Sequence, residues 1–162
     1  MKLTTQEEYG LRCLLRLGRE EAGQSLTIAE LSKQEGIASP TVAKMMRLLR
    51  RAGFVLSTRG KEGGYTLART PEQINVGETL AALGGRFFDS RFCERHSGSV
   101  LLCTHSPDCS IRSVWRVLQD VVDGVLAHMT LKDLLRSERE VTASVSPHAV
   151  PLTVLSPTRR AG

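Results

Sequence analysis

Cys93, Cys103 and Cys109 fall inside a run of seventeen residues, with nine residues between the first pair and five between the second. No Cys-x-x-Cys knuckle is present, so a structural zinc site is not what this spacing favours. Thiolates on a loop suit an iron–sulfur cluster, whose soft irons need sulfur donors. The same spacing also fits three incidental or redox-labile thiols with no metal between them. The remaining cysteine, Cys13, lies among leucines and reads as a small buried hydrophobe. A disulfide framework is not expected in a basic chain whose N-terminus lacks a secretory signal pattern. His128 and His148 fall in no ligand-like spacing and read as structural or solvated.

A second chemistry is cationic. The 162 residues hold 22 Lys+Arg against 17 Asp+Glu, a net charge of +5. Residues 1–70 contain 12 basic and 7 acidic side chains, whereas residues 71–162 contain 10 of each. The whole excess therefore lies in the first half. It thickens at Lys44, Arg47, Arg50, Arg51, Arg59 and Lys61, a stretch with no acidic residue. Such a patch points to a polyanionic partner, or to a merely solvated helix face. Hydrophobic residues at 41% and charged residues at 24% are ordinary globular values and argue against wholesale disorder. Aromatics at 4% argue against a stacking platform for single strands. No run of eighteen apolar residues exists, which disfavours a membrane span.

These groups need elements to position them. Leu11, Leu14, Leu15 and Leu17 recur at helical spacing in a helix expected over Thr5–Glu21, with Thr5 and Glu8 as a capping box. Thr27 and Glu30 repeat that signature before a second helix. A short turn at residues 36–38 leads to a third, with Ser39 as the expected N-cap and Pro40 in the first turn. It should end near Ala52, at Gly53. Two β-type runs, Phe54–Thr58 and Gly64–Ala68, flank a glycine-bearing loop and predict a hairpin. Asn75 with Glu78 opens a short helix. Residues 86–109 read as loop. Over Ser110–Met129 a long helix carries an apolar stripe of Ile111, Val114, Trp115, Leu118, Val121, Val122, Val125 and Met129. That stripe suits either the chain's own core or a second copy. A last helical turn spans Thr130–Leu135. After Glu140 come three of the six prolines and no acid, the composition of a disordered tail.

Two helices joined by a short turn and followed by a hairpin make a winged helix-turn-helix. The expected fold is mainly α, a winged helix-turn-helix with a two-stranded wing and a long C-terminal helix. Its divisions would be a DNA-binding domain at 1–84, a cysteine-bearing loop at 85–109, the long helix with its terminal turn at 110–136, given to dimerisation if its stripe meets a second copy, and a disordered tail at 137–162. In such a fold the N-terminal end of one helix reaches base edges in the major groove. Here those positions are Ser39, Thr41, Val42 and Lys44. Arg47, Arg50 and Arg51 lie further along and suit phosphates, while Arg59 and Lys61 at the wing tip suit the minor groove or backbone. The alternative is a winged helix that only contacts protein. No nucleophile–base pairing, glycine-rich phosphate loop or substrate-sized second domain suggests an enzyme.

The run Tyr9-Gly10-Leu11-Arg12, the Ser39-Pro40 helix start and above all Arg59-Gly60-Lys61-Glu62-Gly63-Gly64-Tyr65-Thr66-Leu67-Ala68-Arg69 resemble the IscR/NsrR/RirA family of bacterial winged-helix transcription regulators. The resemblance covers Met1 to about Leu135. It implies a cytoplasmic homodimer joined by the long helix, bound to pseudo-palindromic double-stranded operator DNA. It also implies an iron–sulfur cluster, 4Fe–4S in preference to 2Fe–2S, on Cys93, Cys103 and Cys109, making the protein a sensor of redox state, nitric oxide or iron status, read as a repressor. Two departures stand out. The first cysteine gap is longer than in the family's familiar members, and Arg112 stands where IscR has a histidine three residues after the third cysteine. By resemblance to NsrR-type members the fourth ligand is the partner subunit's Glu8. His105 and His96 are nearer in sequence, a helix-capping role competes for Glu8, and water or a small molecule is the remaining alternative for the fourth ligand. A cluster-free regulator responding through thiols or a small effector is the alternative within the family.

Overall fold

The computed structural model describes residues 3–21, 23–58, 63–89, 91–99, 103–106 and 108–145. Helix α1 (Thr5–Gly18) is capped one residue earlier than its sequence suggests. Thr4 is the N-cap, and its side chain and backbone exchange bonds with Glu7. Two threonines precede two glutamates, so either register satisfies the box. The register adopted buries Gly10, Cys13, Leu14 and Leu17 on one face.

Helix α2 (Ile28–Glu35) has the expected Thr27–Glu30 box and stops at Gly36, whose φ of 65° is the left-handed conformation glycine tolerates. Helix α3 (Ser39–Arg51) begins after Ala38, so Ser39 is the first helical residue and not the cap. The Ser39 hydroxyl instead donates to Ser32 Oγ at 3.0 Å, across the turn between the helices. Residues 42, 45, 46 and 49 follow helical spacing and turn Val42, Met45, Met46 and Leu49 into the core.

Strands β1 (Val55–Ser57) and β2 (Tyr65–Leu67) pair antiparallel, Val55 opposite Leu67 and Ser57 opposite Tyr65. A single bridge adds Leu26 to the wing: Tyr65 N–H donates to Leu26 O at 2.8 Å and Leu26 N–H to Tyr65 O at 3.0 Å. Gly64 permits this approach, since a Cβ there would sit 2.8 Å from the Leu26 carbonyl. Asn75 caps α4 (Val76–Gly84).

The segment expected to be loop contains a short helix, α5 (Phe92–Arg95). It is built by an Asp89 carboxylate that accepts from Arg91 N–H and Arg95, and by Phe88, Phe92 and His96 in a ladder of rings. Helix α6 (Ser110–Leu126) follows, then α7 (Leu131–Leu134) behind a Thr130 cap. The expected tail is in part a helix. Ser137 and Glu140 form a capping box for α8 (Glu138–Val145), a local signature that holds before the prolines begin. The remainder of that expected tail, 146–162, lies outside the described residues.

One core joins α1, α2, α3, the wing and α4, with Leu14, Leu31, Met45, Met46, Leu49, Ile74 and Leu131 almost wholly enclosed. Helix α6 stands apart from it. Its inner face, Trp115, Gln119, Val122 and Leu126, is half-buried or buried, whereas Ile111, Val114, Val117, Leu118 and Val121 are 41–59% exposed. The sequence stripe is thus two faces, and only one of them packs on its own chain.

Candidate nucleic-acid interface and cysteine segment

Helix α3 divides its residues cleanly. Ser39, Lys44, Arg47, Arg50 and Arg51 are exposed and Thr41 is half-buried, all away from the core face. Val42 is fully enclosed in the core and leaves the set of base-contacting candidates: its position in the turn dictates packing. No acidic residue occupies the first turn of α3, and no side chain caps it. The positive end of the helix dipole and the cationic side chains therefore face an incoming anion without local competition. Arg50 donates to Ser57 Oγ at 3.1 Å, which ties the helix to the wing strand. Arg59 and Lys61 lie outside the described residues. The helix-turn-helix is braced from α1, where Arg12 bonds the Glu35 carboxylate at 3.1 Å and the Glu35 carbonyl, and lies over the Tyr9 ring. The Tyr9–Arg12 motif is thus a strut holding the end of α2.

All four cysteines are free thiols. Cys13 is fully buried, and burial, reinforced by Glu35, pushes its pKa up from 9.0 to about 11. It is a packing residue, as its leucine neighbours suggest. Cys93, Cys103 and Cys109 are half-buried. Cys93 sits on α5, Cys103 in a turn where its carbonyl accepts from Ser106 N–H, and Cys109 at the N-cap of α6, its Sγ accepting from Arg112 N–H at 3.3 Å. Each is held by local bonds. Among the described residues no three His, Cys, Asp or Glu side chains stand together so as to hold a metal ion. The ligand set read from sequence is therefore not gathered within one chain. The donors nonetheless fit an iron–sulfur group in kind, being reduced sulfurs on a segment with little regular structure. Glu8 is exposed, and Glu7 performs the capping that competed for it. His96 stacks on Phe92 and its Nδ1 meets the Phe92 carbonyl at 2.8 Å, whereas His105 is exposed.

Sequence reasoning missed the groups that fasten this segment to the long helix. Arg86 pairs with Asp123, the Phe87 ring meets Trp115 edge-on at 5.7 Å, and Phe88 N–H donates to Gln119 Oε1 at 2.9 Å. The available signal was a glutamine inside an apolar run, at a spacing that turns it inward.

A helix-turn-helix with an exposed cationic face and an attached wing is a DNA-reading architecture, and the model of one family matches residues 3–137 of this chain: Rrf2, described as iron-dependent transcriptional regulator. The chain belongs to the Rrf2 family. It is 32% identical over 152 residues to protein rrf2 of Nitratidesulfovibrio vulgaris, spanning 92% of this chain and 99% of that one. It is 28% identical to the HTH-type transcriptional regulator IscR of Cronobacter sakazakii, spanning 91% and 88%. Among solved structures it resembles CymR, described as the global cysteine regulator of B. subtilis, with a TM-score of 0.64, 27% identity, and coverage of 83% and 96%. This Rrf2-family chain is a DNA-binding transcriptional regulator with a winged-helix fold and not an enzyme. Among the described residues no helix is long and apolar enough to cross a membrane.

Proposed function

We propose that this Rrf2-family protein is a homodimeric repressor whose hold on operator DNA is set by the chemical state of the segment carrying Cys93, Cys103 and Cys109. The observation that carries the reading is the placement of three free, half-buried thiols on the segment that runs from Phe88, bonded to Gln119 in the middle of α6, to Cys109 at the N-cap of the same helix. These thiols and the partner subunit's Glu8 would hold an iron–sulfur cluster, which would supply a redox-, nitric-oxide- and iron-sensitive group there; three sulfurs and one carboxylate suit 4Fe–4S as well as 2Fe–2S.

The chain's own residues do the remaining work. Thr41 and Lys44 reach base edges, joined by Ser39 at the helix start. Arg47, Arg50 and Arg51 take phosphates, and Arg59 and Lys61 serve the wing tip. The exposed apolar face of α6, from Ile111 to Val121, joins the two copies. Glu8 stands exposed on α1, which packs on α3. An iron–sulfur group held by the cysteine segment and by that carboxylate would tie one subunit's α1, and through it α3, to the other's α6. Operator half-sites lie about 34–36 Å apart, so a changed separation penalises both contacts at once. The coupling needed is about 1–3 kcal/mol.

The second reading is a cluster-free thiol switch. It is favoured by the described residues not gathering three metal-binding side chains in one place and by the likeness to a cysteine regulator. Anaerobic isolation with iron and sulfide quantified separates the two. A chromophore that disappears in each of Cys93→Ala, Cys103→Ala and Cys109→Ala supports the cluster. Colourless, iron-free protein that binds its operator supports the thiol switch.

A further inference from the structure

Gln119 is 6% exposed on the face of α6 that also turns Trp115, Val122 and Leu126 inward. A buried amide needs partners, and it has two. Its Oε1 accepts from Phe88 N–H at 2.9 Å, and its Nε2 donates to Asp123 Oδ1 at 2.9 Å. The other Asp123 oxygen accepts from Arg86. With Phe87 against Trp115, three consecutive residues dock on positions 115, 119 and 123, one per turn along a single face of α6.

The chain just before them is bolted to α1. The Gln6 amide donates to the Leu83 carbonyl. Gly84 leaves the space filled by the Glu7 carboxylate, and Gly10 the space filled by the Leu83 side chain. Helix α1 in turn packs on α3. Residues 83–88 therefore form a junction with α1's first turn on one side and α6 on the other, and the chain from the cysteines to the DNA-binding domain passes through it. Beside it lies a cleft of about 500 Å³ lined by Glu7, Gly84, Arg86, Phe87, Gln119 and Asp123, which gives these groups room to rearrange.

We propose that Gln119 is a positioning residue that pins the 86–88 segment to α6, so that a change in the cysteine segment reaches α1 and the recognition helix instead of dissipating in a slack connection. The proposal rests on the reading that the state of the cysteines sets operator affinity. Leucine at 119 removes both bonds while keeping an apolar side chain on the face. Arg86→Leu removes only an ion pair in which Arg86 is half exposed, and folds at little cost.

The test uses the full-length protein, anaerobically loaded with ferrous iron and sulfide or left unloaded, titrated with an operator duplex. The wild type is expected to differ about tenfold between forms, within the range of ordinary allosteric coupling. In Gln119→Leu that ratio falls to within about twofold, while iron content and dimer state stay unchanged and the Phe88 amide exchanges hydrogen faster. Arg86→Leu, which leaves both Gln119 bonds in place, reduces the ratio less, and Gln119→Met, closer in shape to glutamine, decides the question where Gln119→Leu does not fold. A Gln119→Leu or Gln119→Met protein with a released Phe88 amide and an undiminished ratio overturns the pin. A wild type with no ratio at all overturns instead the reading on which the proposal rests.

Discussion

Arg50 of α3 donates to Ser57 Oγ of β1 at 3.1 Å, so the helix and the strand proposed to face DNA are joined by a hydrogen bond. Arg50→Ala removes one cation and this tie together. Operator binding should weaken at low salt for all sequences, and the slope of log affinity against log salt should fall by about one. Lys44→Ala, at the end of α3 proposed to read bases, should instead relax sequence preference at one position, at a cost of about 1–3 kcal/mol. Titrations against operator and scrambled duplexes at several salt concentrations distinguish these outcomes.

The outer face of α6 leaves Val114 54% and Leu118 44% exposed, neighbours on consecutive turns. Val114→Asp combined with Leu118→Asp places carboxylates where two copies would meet, and an unpaired charge cannot be enclosed there cheaply. Sedimentation should show monomer, with the unfolding midpoint little changed because neither residue packs in the chain's own core. A stable dimer of this variant would move the subunit contact elsewhere.

Cys13 differs in kind from the other three thiols. Three half-buried cysteines should react with a small alkylating reagent in native, metal-free protein, and the fourth only after denaturation. Its folded pKa of about 11 exceeds the ordinary 9.0, so the unfolded state loses its proton first. The associated stability is complete below about pH 9 and declines as pH rises towards 11, by roughly 2–3 kcal/mol. Denaturant midpoints across that range should show the decline in the native protein, and this component should be absent in Cys13→Ala.

Asp89 builds the platform under Cys93. Its carboxyl lies below the ordinary 3.8, held down first by the Arg95 hydrogen bond. A depressed folded value means that this support is complete above the ordinary aspartate range and is lost as pH falls through the folded value. Asp89→Ala removes the acceptor for Arg91 N–H and Arg95 altogether. Hydrogen exchange over residues 91–96 should then be fast at neutral pH, as it becomes in the native protein only in acid.

Much of this was legible from local chemistry. The Thr27–Glu30 box, the Gly36 turn, the Asn75 cap and the hairpin all depend on neighbours in sequence, and all stand where the residues put them. The duplicated Thr4-Thr5 and Glu7-Glu8 left the α1 cap ambiguous by one residue, and only packing against Leu83 and Gly84 selects Glu7. Val42 was legible by its spacing to Met45, Met46 and Leu49, but its place near the helix start outweighed that spacing. Helix α8 was obscured by prolines that lie beyond it. The contacts of residues 86–88 with Trp115, Gln119 and Asp123 join residues 28–37 positions apart, and no local rule encodes a register set by docking.

The most direct measurement is a pair of operator titrations on one anaerobic preparation of the full-length protein, before and after its iron is removed, with protein-bound iron and sulfide counted in each. The account predicts a dimer that binds the same duplex with affinities differing about tenfold between the two forms, a gap of about 1.4 kcal/mol. Equal affinities in the two forms, with iron present in one and absent from the other, would contradict it.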